Sequence, residues 1–139
     1  MHRNLEKIAG FIKEHHQLTL ATSFENNPQC SNLFYAYLED ENSFIVASDE
    51  KTEHIQNVLR NPQIAASVAL ETTVIGKIQG LQIKGMISSV EDATAKKIYF
   101  KAFPYARVMK PTLWRITVQT MKLTDNRLGF GKKLMWEME

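Results

Sequence analysis

A phosphate-binding site is indicated by a short polar segment, Ser48-Asp49-Glu50-Lys51-Thr52-Glu53-His54. Hydroxyl groups and a lysine lie here between the end of a predicted strand and the start of a predicted helix. The free N–H groups and the positive dipole end of that helix would attract an anion, and so would the Lys51 ammonium. Ser48 and Thr52 would add neutral donors. The same residues also fit a simpler structure, in which Thr52 caps the helix and Lys51 is solvated.

The histidines and the single cysteine have no catalytic partner that spacing alone can assign. A triad is defined by geometry, so His15, His16 and His54 are interpreted as ordinary surface histidines. Cys30 lies in a predicted strand, where a lone cysteine is typical of a small core residue. The acidic run Glu39–Glu41 is typical of a solvated turn, and we expect no divalent metal.

The C-terminal segment Met121–Trp136 combines a turn, two glycines, four basic residues and two aromatic residues. One interpretation is a hairpin with an exposed basic face. In the other, Gly129 and Gly131 let the backbone approach a ligand, Phe130 or Trp136 lies against a planar ring, and the cations meet a phosphate. The chemistry of the segment leaves both interpretations open.

Hydrophobic periodicity predicts the elements that would position these residues. Helices are predicted from Leu5 to about His16, from Thr52 to the Asn61-Pro62 stop, and from Asp92 to Phe103. Alternating apolar residues predict six strands, which are Leu18–Ser23, Cys30–Leu38, Ser43–Ser48, Ile64–Leu70, Leu81–Ser88 and a last strand from Trp114 to about Leu123.

This order of elements predicts an α+β fold that is mainly β, namely a six-stranded antiparallel barrel with flanking helices. Regular alternation of strands and helices is missing, which argues against a parallel sheet. No glycine-rich nucleotide loop occurs. Gly76, Gly80 and Gly85 are spaced through strand regions and are interpreted as bends or bulges.

Length and composition limit the classes of protein that remain. With 139 residues and 44% hydrophobic content, the chain is predicted to be one domain, residues 1–139. Seventeen basic residues against fifteen acidic ones give a net charge of +2, which does not indicate nucleic-acid binding. The apolar stretches are too short to span a membrane, and the N-terminus lacks a secretory signal pattern. We therefore expect a cytoplasmic protein that contacts neither membrane nor nucleic acid.

Four segments together carry a resemblance to a known family: Glu50-Lys51-Thr52, Phe103-Pro104-Tyr105-Ala106-Arg107, Trp114-Arg115-Ile116 and the tail from Met121 to Trp136. They resemble the bacterial YhbP-like family, an uncharacterised family of the pyridoxamine 5'-phosphate oxidase-like superfamily. The resemblance covers nearly the whole chain. It implies a six-stranded split β-barrel that forms a homodimer and holds FMN in clefts at the subunit interface.

The resemblance also implies roles for individual residues. Ser48, Lys51 and Thr52 occupy the position that grips the FMN phosphate. Gln79 is similar to a flavin-contacting glutamine. The resemblance implies that Asn32, Leu33 and Phe34 run alongside the isoalloxazine ring. It also implies that Trp114 and C-terminal aromatic residues such as Phe130 close the site from the partner subunit.

Two departures from the oxidase pattern bear on function. The Ser-Arg-Lys phosphate motif is replaced by Glu50-Lys51-Thr52, and the Arg-x-His element that binds the oxidase substrate has no match in residues 128–139. Vitamin B6 synthesis is therefore not expected.

Three functions stay open from the sequence. The first is a homodimeric FMN-dependent oxidoreductase acting on an unidentified small molecule. The second is a non-catalytic protein that binds or senses flavin or haem, with His15, His16 or His54 as haem ligands. The third is a dimeric domain without a cofactor.

Overall fold

A computed structural model describes residues 2–139 of the chain. Three α-helices are present in this range, α1 (His2–Glu14), α2 (Glu53–Arg60) and α3 (Ala93–Ala102). The strands are β1 (Gln17–Phe24), β2 (Asn27–Leu38), β3 (Ser43–Ala47), β4 (Gln63–Ala69), β5 (Gln79–Ser89), β6 (Leu113–Asp125) and β7 (Lys133–Glu137). None of the helices in this range is long and apolar enough to cross a membrane.

The strands form one antiparallel sheet in the order β3-β2-β1-β4-β5-β6-β7, and β3 also pairs with β6. This additional pairing closes six strands into a ring, so the predicted six-stranded antiparallel barrel is confirmed. β7 is a seventh strand that the prediction lacked. It pairs with the second half of β6 and forms the hairpin that was one interpretation of the C-terminal segment.

The interior of the barrel is filled by the inward-facing residues of alternating strands. Along β4 and β5, every second side chain is buried and the intervening ones are exposed. The apolar stripe of α1, with Ile8, Phe11 and Ile12 all buried, packs into the same core, as do Ile55 and Val58 of α2. Burial of these stripes holds both helices against the barrel.

Two of the sequence predictions about burial are wrong. Cys30 is exposed, because β2 presents it on the same outer side of the barrel as Asn32 and Phe34. His54 is buried with 9% of its surface exposed, because it follows the cap of α2 and faces the β3 end rather than solvent. The N-terminal helix also ends at Glu14, two residues before the predicted end.

The barrel is split along β2. This strand pairs with β1 from Asn27 to Phe34, but it pairs with β3 only from Tyr35 to Leu38. Within the described chain, the β2 edge from Asn27 to Phe34 therefore has no neighbouring strand on the β3 side. Backbone N–H and C=O groups on such an edge are available to a ligand.

Gly85 lies at the point where β5 and β6 shift register. The shift falls between Lys84 and Gly85, which confirms the predicted bulge. A Cβ atom on Gly85 would overlap the carbonyl oxygen of Thr117 on the neighbouring strand. By contrast, Gly76 lies in a short 3-10 helix, Ile75–Lys77, and not in a strand bend.

We expect Gly85→Ala to lower the free energy of unfolding by about 1–3 kcal/mol, because the added methyl group forces β6 away from β5. Gly80→Ala is the matched control on the same strand, since a Cβ there meets no atom within 4 Å. Urea unfolding of both variants measures the difference. Equal stability of the two variants would contradict this account of the bulge.

Candidate functional site

The turn between β3 and α2 is held together by its own polar side chains. Thr52 caps α2 by accepting a hydrogen bond from the Ile55 amide at 3.4 Å, and its hydroxyl donates to the Asp49 carbonyl at 2.8 Å. The Asp49 carboxylate accepts from the Lys51 amide at 2.8 Å. The helix-cap interpretation of Thr52 is thus observed, and the turn is fixed in front of the helix N-terminus.

His54 lies against the two hydroxyl groups of this turn. Its Nε2 atom forms a hydrogen bond with the Ser48 hydroxyl and lies 3.3 Å from the Thr52 hydroxyl. Burial lowers the pKa of His54 below its ordinary value of 6.5, because a charged imidazolium is poorly solvated there. The neutral ring therefore belongs to the hydrogen-bonded structure of the turn.

These contacts decide which groups remain free to donate to an anion. The Thr52 hydroxyl hydrogen is already given to Asp49, so Thr52 acts only as an acceptor. Ser48 keeps a free hydroxyl hydrogen only in the tautomer in which His54 Nε2 carries the proton. The Lys51 side chain is exposed, and its ammonium is in none of the ion pairs found between described residues.

Trp114 anchors the turn to the start of β6. Its indole Nε1 donates to the Ser48 carbonyl at 3.0 Å, while the Ser48 amide donates to the Thr112 carbonyl at 3.0 Å. The Trp114 side chain is buried in the core of its own chain. Ser48, Lys51, Thr52 and Trp114 are thus four predicted site residues that the fold brings together.

A cleft of about 550 Å³ opens beside this turn. We call it the Lys51 cleft; its lining consists of Asp49, Glu50, Lys51, Met109, Lys110, Pro111 and Thr112. Lys110 supplies a second cation that sequence reasoning missed. It is 59 positions from Lys51 and follows a 3-10 helix, Pro104–Met109, so no local pattern links the two lysines. Two cations in one cleft form an arrangement suited to a phosphate.

Asn32, Leu33 and Phe34 lie on the open edge of β2. Asn32 is exposed, and its side-chain oxygen accepts from the Thr19 hydroxyl at 2.8 Å. Leu33 packs partly against the core, whereas Phe34 is half exposed and stacks on Phe103 with ring centroids 5.4 Å apart. The edge therefore offers backbone groups and an aromatic face rather than charged side chains.

Two enclosed polar atoms on the same stretch of β2 have no hydrogen-bond partner among residues 2–139. They are the Gln29 side-chain oxygen and the Ser31 hydroxyl oxygen. The Gln29 nitrogen does have a partner, the Glu53 carboxylate in the first turn of α2, at 2.9 Å. A buried polar atom without a partner is costly, so these two oxygens are candidates for contact with a ligand or water.

Gln79 and Phe130 lie at the opposite end of the barrel from Trp114. Gln79 pairs with Asp125, whereas Trp114 pairs with Ser89 at the other end of β5. Ten residue steps of strand separate these ends, about 33 Å at the usual rise. One flavin-sized molecule cannot contact both ends of the same chain.

The Gln79 side chain is occupied by a local network. Its oxygen accepts from the Arg127 guanidinium at 2.9 Å, and the same guanidinium pairs with the buried Asp125 carboxylate at 2.9 Å. Hydrogen bonds from Arg127 hold the pKa of Asp125 below its usual value. Phe130, on the turn that follows, is 86% exposed.

Relatives in sequence cover nearly the whole chain. The profile of the family described as "Pyridoxamine 5'-phosphate oxidase" matches residues 5–125. A UPF0306 protein of Photorhabdus laumondii is 34% identical over 137 residues, which make up 96% of this chain and 96% of that protein. A UPF0306 protein of Yersinia pestis is 34% identical over 132 residues, or 93% of this chain and 90% of that protein.

Several solved structures share the fold. A heme binding protein from Mycobacterium smegmatis superimposes with a TM-score of 0.81 at 17% identity, over 96% of this chain and 57% of that one. A FAD-binding protein from Mesorhizobium loti superimposes with a TM-score of 0.73 at 14% identity, over 84% of this chain and 89% of that one. A putative pyridoxamine 5'-phosphate oxidase from Listeria innocua superimposes with a TM-score of 0.68 at 15% identity, over 86% of this chain and 96% of that one. At such identities the likeness concerns the fold alone.

Burial of His54 predicts that this residue makes stability depend on pH. Because the folded pKa lies below the ordinary value of 6.5, the unfolded chain binds the proton first as the pH falls. The contribution of the neutral His54 ring to the free energy of unfolding is complete above about pH 6.5, and it is lost as the pH falls towards the folded pKa. We expect His54→Gln to show a smaller change in the free energy of unfolding over this range than the unchanged chain does.

Urea unfolding at a series of pH values measures this dependence. His16→Gln is the control, because it removes an exposed histidine just before β1 that takes no part in the hydrogen bonds of the Ser48 turn. If His54→Gln and the unchanged chain lose stability in parallel, the assignment to His54 is wrong.

Proposed function

The chain belongs to the UPF0306 family and to the pyridoxamine 5'-phosphate oxidase family, and on this premise we propose that it binds FMN at a homodimer interface and acts as a flavin-dependent oxidoreductase. The membership expected from the sequence is confirmed. The observation that carries the proposal is the Lys51 cleft, where Lys51 and Lys110 line one cleft beside the turn that leads into α2. An FMN phosphate is a dianion that suits this combination.

The residues around the cleft fit FMN in their donor chemistry. Lys51 and Lys110 offer two ammonium groups, and Lys51 lies two residues before the first residue of α2. Asp49 and Glu50 also line the cleft, and the Asp49 carboxylate is engaged by the Lys51 amide. The two cations therefore balance the two carboxylates in charge. Because of this balance, we expect the cleft to bind the FMN phosphate more weakly than an Arg-Lys pair would.

The open edge of β2 supports a place for the isoalloxazine ring. Its free backbone groups suit the polar edge of the ring, which both donates and accepts hydrogen bonds. The unpartnered oxygens of Gln29 and Ser31 lie on the same stretch of strand. Hydrogen bonds from a ligand or from trapped water would remove the cost of leaving them unpaired.

Exposed apolar side chains favour a dimer that completes the site. The Tyr105 patch, made of Tyr105, Val108 and Met109, is 80–90% exposed and adjoins the Lys51 cleft. A second patch, the Ile75 patch, lies at the Gln79 end and consists of Val74, Ile75, Ile78, Leu128 and Phe130. Monomeric surfaces rarely expose such groups together.

A two-fold axis that docks the Ile75 patch of each subunit on the Tyr105 patch of the other would bring opposite barrel ends together. The β6 strand that separates the patches within one chain is 13 residues long, roughly 40 Å. The partner subunit's Phe130 could then close the Lys51 cleft, as the family resemblance implies. The interface would be isologous, as in most homodimers.

FMN would supply the redox chemistry, by accepting or giving a hydride at its ring. The protein residues then bind, orient and exclude water. Lys51 and Lys110 hold the phosphate, the β2 edge orients the ring, and the aromatic pair of Phe34 and Phe103 shields one side of that edge. A side-chain acid or base is not required for such a transfer, which agrees with the absence of a Ser-His-Asp geometry among the hydrogen bonds of the described residues.

Lys51→Ala should weaken FMN binding about tenfold, as expected for the loss of one partly screened charge-assisted contact. The measurement is flavin absorbance and fluorescence of the purified protein, before and after incubation with FMN and gel filtration, followed by titration of both forms. Lys7→Ala is the control, because Lys7 is an exposed lysine on α1 outside the cleft. Unchanged affinity in Lys51→Ala would remove the phosphate assignment, and failure of any flavin to co-elute would remove the proposed function.

Ile75→Glu should convert the dimer to a monomer and weaken FMN binding at the same time, because a charge would be buried in the proposed interface. Light scattering during gel filtration measures the mass, and a flavin titration measures the affinity. Leu59→Glu is the control, since Leu59 is exposed to a similar extent on α2 but belongs to neither patch. A variant that stays dimeric, or a monomer that keeps full FMN affinity, would contradict the interface.

A second candidate function, haem binding, is favoured by another cleft of about 510 Å³. Its lining includes His15, His16, Tyr35 and Phe103. His54 does not serve here, because its Nε2 atom is held by Ser48. Haem added in the same titration would give a Soret band if His15 or His16 were a ligand. Haem binding by a protein that takes up no FMN would favour this second function over the first.

A further inference from the structure

A separate cleft lies between α3 and the start of β6, outside the Lys51 cleft. It measures about 430 Å³, and we call it the α3 cleft. Its lining consists of Val90, Lys96, Phe100, Arg107, Lys110, Pro111, Thr112 and Leu113. The segment Lys110–Thr112 forms the wall between the two clefts. The α3 cleft therefore has its own interior on the far side of that wall.

The charged residues of the α3 cleft are all cations. Lys96, Arg107 and Lys110 line it, and no carboxylate does. The ion pairs within residues 2–139 involve other cations, namely Lys13, Arg115 and Arg127. Asp92, one turn before Lys96 on the approach to α3, is held by Arg115 at 2.8 Å. Three like charges thus surround one cavity without internal compensation, which attracts an anion.

Arg107 is held at this cleft by an aromatic ring. Its guanidinium carbon lies 4.9 Å from the centroid of the Phe100 ring. The Phe100 ring is itself fixed edge-to-face against Tyr99, which is buried. A cation–π contact of this kind restrains the guanidinium while leaving its N–H groups free for an oxyanion. The Arg107 guanidinium is therefore preorganised for binding an oxyanion.

Apart from Thr112, the remaining lining of the α3 cleft is apolar. Val90 and Leu113 are buried at its base, and Phe100 is half buried. Inorganic phosphate or another small ion would leave this apolar base in contact with water. A ligand with an apolar body and one anionic group would cover the base and meet the cations together.

We propose that the α3 cleft binds an organic anion, a carboxylate or phosphate ester whose charged group meets Arg107 and Lys96 and whose apolar body lies on Phe100 and Leu113. The site does not require bound FMN, although Lys110 lines both clefts.

The test is a titration of the purified, isotopically labelled protein with 1-naphthyl phosphate, followed through the backbone amide signals of its NMR spectrum. Inorganic phosphate and 1-naphthol are the comparison probes, the first without the apolar body and the second without the charge. We expect saturable shifts at Phe100, Arg107 and Leu113, with both comparison probes binding at least about tenfold more weakly. Shifts confined to the Lys51 turn would overturn the proposal.

Arg107→Gln should weaken 1-naphthyl phosphate about tenfold, because one charge-assisted contact is lost. Arg60→Gln is a matched control, since Arg60 makes the same kind of contact with Phe24, at 5.0 Å, and does not line the α3 cleft. Equal weakening in both variants would mean that only net charge matters, and the proposal would fail. The amide spectrum also shows whether each variant is folded.

Lys51→Ala separates this site from the proposed flavin site. It should keep full affinity for 1-naphthyl phosphate, because Lys51 does not line the α3 cleft. If Lys51→Ala loses the probe, the probe occupies the Lys51 cleft and the α3 cleft proposal is wrong, whatever the outcome with FMN. Conversely, loss of FMN binding without loss of the probe would leave the α3 cleft in place.

Discussion

The architecture depends on one long strand that pairs with three others. β6 pairs with β5 along nearly its whole length, with β3 over its first residues and with β7 over its last. Pairing with β3 closes the barrel, since otherwise two strand edges would stay open. β3 has only five residues, however, and β2 pairs with it only from Tyr35 to Leu38, so the part of β2 before Tyr35 has no β3 neighbour. The open β2 edge and the Ser48 turn both begin where this pairing stops.

The polar residues at that point divide into two groups with different tasks. The hydroxyls of Ser48 and Thr52, together with His54, satisfy one another and the helix cap, and thereby fix the turn. The ammonium groups of Lys51 and Lys110 face an open cleft instead. A preorganised turn costs little reorganisation when an anion binds. The capping and anion-binding interpretations of this segment therefore describe different atoms of the same residues and do not exclude each other.

Local patterns were sufficient for most of the fold, but long-range contacts were not. Alternation along β4 and β5 and the cap at Thr52 are properties of neighbouring residues, so the sequence predicts them well. The closeness of Lys110 to Lys51 depends instead on barrel closure. The burial of His54 depends on how α2 packs against the β3 end. β7 was missed as a strand because its five residues carry little periodicity, and it forms only by pairing with β6.

Lys110 links the two clefts because it lines both. Its backbone is left-handed, with φ at 48°, and Pro111 follows directly, so the wall between the clefts has little freedom to shift. The side chain is exposed, and its one positive charge is shared by whatever anions it contacts. An anion that binds Lys110 in one cleft would leave the other cleft with one cation fewer. Two anions on opposite sides of this wall would also repel each other. Binding in the two clefts would then be mutually weakening, and reciprocity requires that each ligand reduce the affinity of the other by the same factor.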